Sequence, residues 1–199
     1  MSSPAPADTR TRILDAALEL IGRRGVARTS LEDVAAGAGV SRQTVYRHAG
    51  SRDGLLTLLV LREEERLLAR LREVVEGQHE LRAALEAAIG VALRFAQDHP
   101  LFGRLAQTEP AALLPILLDG QGPVLTAARE VVVDLLLRWT PHLDQPQREL
   151  VAEACTRLIV SYAISPAAGD LDELSSGLAR LIGGGVGWPT NAAGPTTSR

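Results

Sequence analysis

The chain has 199 residues, enough for one large domain or for a small domain joined to a medium one. Apolar residues at 46% and charged residues at 23% exclude global disorder, and with aromatics at only 3% the core must be built from Leu, Val, Ile and Ala, which favours packed helices over a β-sandwich. The net charge of −3 does not point to nucleic acid, but it is unevenly placed: residues 1–54 hold eight Arg and six acids, a balance of +2, which leaves −5 for the rest.

The single cysteine, Cys155, excludes an intramolecular disulfide framework. The first ten residues, MSSPAPADTR, lack the apolar stretch of a secretory signal, and no apolar run approaches the ~18 residues of a membrane span. The expectation is a cytoplasmic protein with no membrane partner.

Residues 1–8 are rich in Ser, Pro and Ala and are expected to be disordered. A first helix starts at Asp8 or Thr9 and carries Ile13, Leu14, Ala17, Leu20 and Ile21 on one face; Gly22 and Gly25 weaken and end it. Ser30 opens a capping-box-like Ser-Leu-Glu-Asp, with Asp33 in place of the usual Glu, and the helix it starts runs to about Ala36. Gly37-Ala38-Gly39 reads as a tight turn, after which Ser41 caps a helix from Arg42 to about His48. Ser51 caps a fourth, long segment from Arg52 to about Val75, with Leu67, Leu68, Leu71, Val74 and Val75 on one stripe. The charged middle of that segment (Arg62, Glu63, Glu64, Glu65, Arg66) reads as a solvated face, not a carboxylate site. The break between a 9–54 head and a 55–182 body falls at this shared helix.

A helix from about Glu80 to Gln97 follows, with Leu81, Leu85, Ala88, Ile89, Ala92 and Ala96 in register. Pro100 starts a short helix, and Thr108-Glu109-Pro110 starts another in which Pro115 should produce a kink. After the turn at Gly120-Gln121-Gly122-Pro123, residues 124–140 are apolar almost all round, so that helix must be covered on most faces. Pro146 opens a helix to about Ile164, and residues 170–182 form a last amphipathic one; the Gly/Pro/Thr-rich stretch 183–199 is expected to be a disordered tail. No strand-like alternation occurs, and the fold class is all-α.

The informative stretch is 31–48. Two short helices joined by a Gly-containing turn match a helix-turn-helix, with Val34, Val40 and Val45 as its small core. The second helix exposes Arg42, Gln43, Thr44, Tyr46, Arg47 and His48, all hydrogen-bonding groups with no acid among them, as a phosphate-facing surface requires. A merely solvated helix usually mixes acids with bases; this one does not.

Residues 10–59 resemble the DNA-binding domain of the tetracycline-repressor (TetR) family. The resemblance rests on Ile13-Leu14-Asp-Ala-Ala17, the Gly25 turn, Thr29-Ser30, Val34-Ala35, Ala38-Gly39-Val40-Ser41, Thr44-Val45-Tyr46-Arg-His48, and Arg52 before Leu55-Leu56. Three positions depart from the usual pattern: Ala49 stands where an aromatic follows the His, Arg52 where Lys is commoner, and Gly54 where Glu or Ala is commoner. The first departure thins the packing between the head and the fourth helix.

The resemblance implies a three-helix DNA-binding domain followed by a helical ligand-binding and dimerisation domain. It implies a ligand-responsive repressor that binds a palindromic double-stranded DNA operator as a homodimer. Arg42 and Gln43 become candidates for base edges, and Thr44 for a phosphate or a thymine methyl. Ser41, Tyr46, Arg47, His48 and Arg52 join them on the DNA face, with Thr29 and Ser30 binding phosphate through hydroxyl and backbone N–H. Ser30 and Ser41 are helix caps with or without DNA, and Tyr46 has a possible structural share. The homodimer is expected through helices 124–140 and 146–164. A small hydrophobic effector is expected among residues 67–140, with Phe95, Phe102, Leu105, Gln107, Leu113, Leu117 and Trp139 as candidate lining.

Other readings stay open at this point: an activator, a DNA-binding protein without an effector, or an all-α enzyme or carrier holding a lipid. Nothing resembles catalytic or cofactor chemistry. His48, His79, His99 and His142 are scattered, Cys155 reads as a buried structural thiol, and Gly183 to Gly187 lack the strand and helix of a phosphate loop. No metal, no cofactor and no enzyme activity are expected.

Overall fold

The computed structural model describes residues 8–120, 122–166 and 168–186, and among them every regular element is an α-helix. The order is α1 (Thr9–Arg24), α2 (Leu31–Ala38), α3 (Arg42–Ala49), α4 (Arg52–Glu76), α5 (Leu81–Asp98), α6 (Phe102–Thr108), α7 (Pro110–Leu117), α8 (Pro123–Trp139), α9 (Gln145–Ile164) and α10 (Leu171–Gly185).

The starts of these helices follow from local chemistry. Ser30 and Asp33 form a full capping box at α2, Ser41 accepts the Thr44 N–H at α3, and Ser51 accepts the Gly54 N–H at α4. Asp144 and Gln147 form a second capping box at α9, and Asp170 caps α10. Asp8 holds the N-cap position of α1 without a side-chain bond.

Two ends differ from the sequence reading. Helix α2 continues through Gly37 to Ala38, and the turn begins at Gly39, which adopts the left-handed conformation (φ 64°). Gly37 serves packing instead: a Cβ there would lie 3.2 Å from that of Ala16, so its absence lets α1 and α2 approach closely. At the other end, α10 runs past Ile182 to Gly185, and Val186 is buried with its carbonyl accepting from His142 Nε2 at 2.9 Å. Residues 183–186 therefore belong to the fold, not to a tail. The remainder of the expected tail (187–199) and residues 1–7 of the expected disordered N-terminus lie outside the described residues. Pro115 does lie inside α7, which ends two residues later.

Packing divides the buried residues into two clusters. The first joins α1, α2, α3 and the first half of α4, and it also takes in Leu101, Leu105 and Leu113 from around α6 and α7. The second joins α5, α8, α9 and α10. The head does not close its own core; α6 and α7 complete it. At the head's edge, Gly54 lets the start of α4 lie close to the end of α3: a Cβ on residue 54 would meet the backbone carbonyl oxygen of Ala49 at 2.1 Å.

Candidate functional site

Helix α3 is anchored by Val45, which is fully buried, and this sets the outward direction of its other side chains. Arg42, Gln43, Tyr46, Arg47 and His48 are exposed, with Tyr46 at 55%. An open groove runs between α3 and the starts of α2 and α4, bordered by Arg28, Ser30, Glu32, Arg42, Tyr46 and Arg52. Two helix N-termini and three guanidinium groups meet there, an arrangement suited to phosphate. The N–H groups of Leu31 and Glu32, in the first turn of α2, have no partner within the helix.

Several side chains in this region are already engaged. Thr29 is buried and its hydroxyl donates to the Gly25 carbonyl at 2.8 Å, so it locks the α1–α2 turn and has no hydroxyl to offer to DNA. Ser30 Oγ donates to Asp33 Oδ2 at 2.7 Å, which leaves backbone N–H groups as the phosphate donors at this end. The hydroxyls of Ser41 and Thr44 lie 2.9 Å apart. Arg52 Nη1 donates to the Ala27 carbonyl at 3.2 Å, and Arg42 Nε pairs with Glu32 at 2.8 Å. Sequence reasoning missed Arg28 and Glu32 on this groove. Arg28 was visible as the base preceding the Thr29-Ser30 cap; the pairing of Glu32 with Arg42 needs the fold.

A second feature lies in the body. Helices α4 to α10 all contribute to a partly open apolar cavity of about 160 Å³. Phe95, Phe102, Leu113 and Leu117 line it. Leu105, Gln107 and Trp139 do not: Leu105 is buried in the core shared with the head, Gln107 is exposed, and Trp139 packs on the second cluster beneath the Arg138 guanidinium, 4.4 Å from its ring centroid. Residues of α9 such as Ile159 and Val160 line the cavity, outside the 67–140 range expected to supply it.

Glu64 also faces this cavity. It is 8% exposed, and its Oε1 has no hydrogen-bond partner. Burial pushes its carboxyl up to about 8. The reading of residues 62–66 as a solvated run is wrong for Glu63 and Glu64. The spacing did hold the signal: Val60, Glu64, Leu67 and Leu71 recur at four, three and four, one stripe of a helix, and all four line the cavity.

Residues 13–59 match the family described as bacterial regulatory proteins, tetR family, and residues 80–183 match the tetracyclin repressor C-terminal domain. The chain belongs to the TetR family. The TetR-family repressor AlkX of a Dietzia species, implicated in biodegradation of n-alkanes, has a solved structure that superposes with a TM-score of 0.73 at 28% identity, covering 94% of this chain and 98% of that one. The regulator AlkX of Mycobacterium tuberculosis is 29% identical over 176 residues, covering 87% of this chain and 82% of that protein. UidR of Escherichia coli is 34% identical over 98 residues, and the match spans about half of its length (47%) and 49% of this chain. The TetR family and these relatives are transcriptional regulators, not enzymes.

In this TetR-family chain Glu63 has a different environment from Glu64. It is 2% exposed, yet its carboxylate receives Arg62 at 2.7 Å, Arg66 at 3.0 Å and His99 Nε2 at 3.3 Å. Burial acts to raise its pKa, but the hydrogen bonds from His99, Arg62 and Arg66 and the Arg62 charge outweigh it and hold it at about 2. His99 Nδ1 accepts the Leu101 N–H at 3.2 Å, which places the ring proton on Nε2 for Glu63 in the neutral ring. Arg62 continues the network into the head, meeting Asp15 at 2.7 Å and the Leu14 carbonyl at 3.2 Å. His99 also packs against Phe95 and Phe102 in a cluster of three mutually tilted rings, at ring-centroid distances of 4.6 and 5.2 Å. Sequence reasoning missed this network because Asp15 and His99, which tie the 62–66 run to other helices, lie far from it in the chain.

Among the described residues no group of three or more His, Cys, Asp or Glu side chains could hold a metal ion, and no helix is long and apolar enough to cross a membrane.

Proposed function

We propose that this protein is a cytoplasmic, ligand-responsive repressor that binds a palindromic operator as a homodimer and releases it when a small hydrophobic effector fills the cavity. The head, 9–54, reads DNA, and the helical body from 55 onward binds the effector and the second subunit. Arg42 and Gln43 read base edges; Thr44, Tyr46, Arg47, His48 and Arg52 hold phosphates, with Ser41 fixing the start of α3. One helix-turn-helix reads few bases, and a dimer with half-sites a helical turn apart supplies the specificity.

The observation that carries this reading is a continuous run of contacts from cavity to DNA-reading head. Phe95 and Phe102 line the cavity and pack their tilted rings against His99; His99 bonds Glu63; Glu63 pairs with Arg62; Arg62 binds Asp15 and Leu14 of α1. A ligand that displaces the two rings alters the setting of α4 and α1 together. The shift requires that the effector bind one setting more tightly than the other. The dimer reading is supported by how little of α8 and α9 the rest of the chain covers: four residues of α8 and three of α9 are buried, and Leu137 at 50% and Leu150 at 70% exposed stand on their outer faces. The n-alkane context named for the Dietzia AlkX agrees with an apolar effector.

The test is fluorescence anisotropy with DNA from immediately upstream of this protein's own gene, at two salt concentrations, against a scrambled duplex. Tight, salt-sensitive, selective binding of two protomers per site is expected. Loss of that complex on adding hydrophobic compounds establishes the effector. Absence of binding to either duplex at low salt would overturn the regulator reading in favour of a carrier.

A further inference from the structure

The cavity's polar inventory is short. Of the side chains that line it only Glu64, Cys155 and Thr156 carry a polar atom, and no Arg, Lys or His is among them. Two of the three are unsatisfied: Glu64 Oε1 on α4 and Thr156 Oγ1 on α9 are buried without a hydrogen-bond partner. The hydroxyls of Thr57, Thr108 and Thr140 donate to the carbonyl four residues back, whereas that of the buried Thr156 does not. A native fold rarely leaves two such groups unpaired in one apolar space without a use for them.

We propose that the cavity takes an uncharged lipophile bearing one hydroxyl, recognised through hydrogen bonds by Glu64 and Thr156, as the effector of the reading above. The charge of the head group follows from the lining. A carboxylate would enter with no cation to meet it and with Glu64 as its polar neighbour. An ammonium would require Glu64 to ionise in an apolar space, and the attraction of such a buried pair is largely offset by desolvating both charges. Glu64 is instead held as the neutral acid at pH 7 by its burial, so it offers one O–H donor and one carbonyl acceptor. A hydroxyl matches these groups, since it can accept from the Glu64 O–H and donate to an oxygen of Glu64 or Thr156. A plain hydrocarbon would fill the space but leave both groups unpaired. The cavity, at about 160 Å³, is close to the ~150 Å³ of an engineered site that binds benzene, which sets a small apolar ligand.

The experiment is isothermal titration calorimetry of the full chain at pH 7 with three probes of equal tail: 1-octanol, octylammonium and octanoate. Octanol should bind at least about tenfold more tightly than either ion, a difference of one hydrogen-bonded group. Glu64→Leu and Thr156→Val should each weaken octanol by about tenfold, while Glu64→Gln, which keeps a donor and an acceptor, should stay within about threefold. Circular dichroism melts check that each variant is folded. Tightest binding of octylammonium, abolished in Glu64→Gln, would replace the proposal with an ion pair; tightest binding of octanoate, or octanol affinity indifferent to both Glu64→Leu and Thr156→Val, would overturn it. If no probe binds while the protein still holds its operator, the proposal and the effector half of the function fail together, and the DNA-binding half stands. If octanol binds as expected but no DNA does, the proposal stands as cavity chemistry and the regulator reading fails.

Discussion

The carboxylate of Glu109 occupies the space a side chain on Gly25 would need: a Cβ there would lie 2.0 Å from Glu109 Oε1. Gly25 closes α1 at φ 84°, and the two N–H groups that follow it, of Val26 and Ala27, donate to Glu109 at 3.0 and 2.9 Å. Glu109 stands between α6 and α7, immediately before Pro110, and so ties a cavity-lining helix to the head.

Gly25→Ala should therefore cost about 1–3 kcal/mol, from the positive φ and from displacement of Glu109. Glu109→Ala should cost a similar amount and also blunt effector-driven release of DNA, because α7 would move without the head. Urea unfolding measures the first and anisotropy the second. A wild-type midpoint in Gly25→Ala would show that the contact contributes nothing.

Glu32 is the acid of the proposed DNA groove, and its pairing with Arg42 must be surrendered for Arg42 to reach a base. Glu32→Gln should tighten operator binding, by about 1 kcal/mol at low salt and less at high salt. Arg42→Ala should weaken it by about 1–3 kcal/mol and relax one base position, whereas Tyr46→Ala should weaken all sequences about equally. Binding across a panel of single-base operator variants separates the two behaviours; equal effects would remove Arg42 from base readout.

The two neighbouring glutamates give opposite pH dependences. The unfolded chain ionises Glu64 at its ordinary 4.5, while the fold retains the proton to about 8, so stability falls as pH rises from 4.5 to 8 and then levels. Glu63, held at about 2, contributes fully above 4.5 and loses its contribution as pH falls toward 2. The melting temperature of Glu64→Gln should exceed that of the wild type by a margin that grows from about pH 5 to about pH 8. A constant margin would place Glu64 in water.

Leu137→Glu and Leu150→Glu test the proposed dimer surface. Each puts a charge where two apolar faces would meet, and each should yield monomers in sedimentation and lower operator affinity by more than about tenfold. Dimers that persist in both variants would move the interface away from α8 and α9.

The helix order, the capped helix-turn-helix and the exposed face of α3 could be read from the chain because they depend on local chemistry. A serine side chain caps the turn three residues away, and a 3.6-residue period sets which side chains share a face. Phe95, Phe102, Leu113 and Leu117 were within reach of the same pattern, whereas Leu105 was not distinguishable from them until α6 was seen to pack on the head.

The sequence by itself determined an all-α chain with an acid-free recognition helix at 42–48, since caps, periodicity and residue type act within a few residues of one another. Only the tertiary structure decided the fates of Thr29, Glu63 and Glu64. Thr29 turned inward to Gly25, Glu63 found His99 thirty-six residues away, and Glu64 was left facing an apolar cavity. A charged run looks solvated along a single helix; whether it meets water, a partner or nothing depends on which distant helices cover each of its faces, and burial then sets the charge.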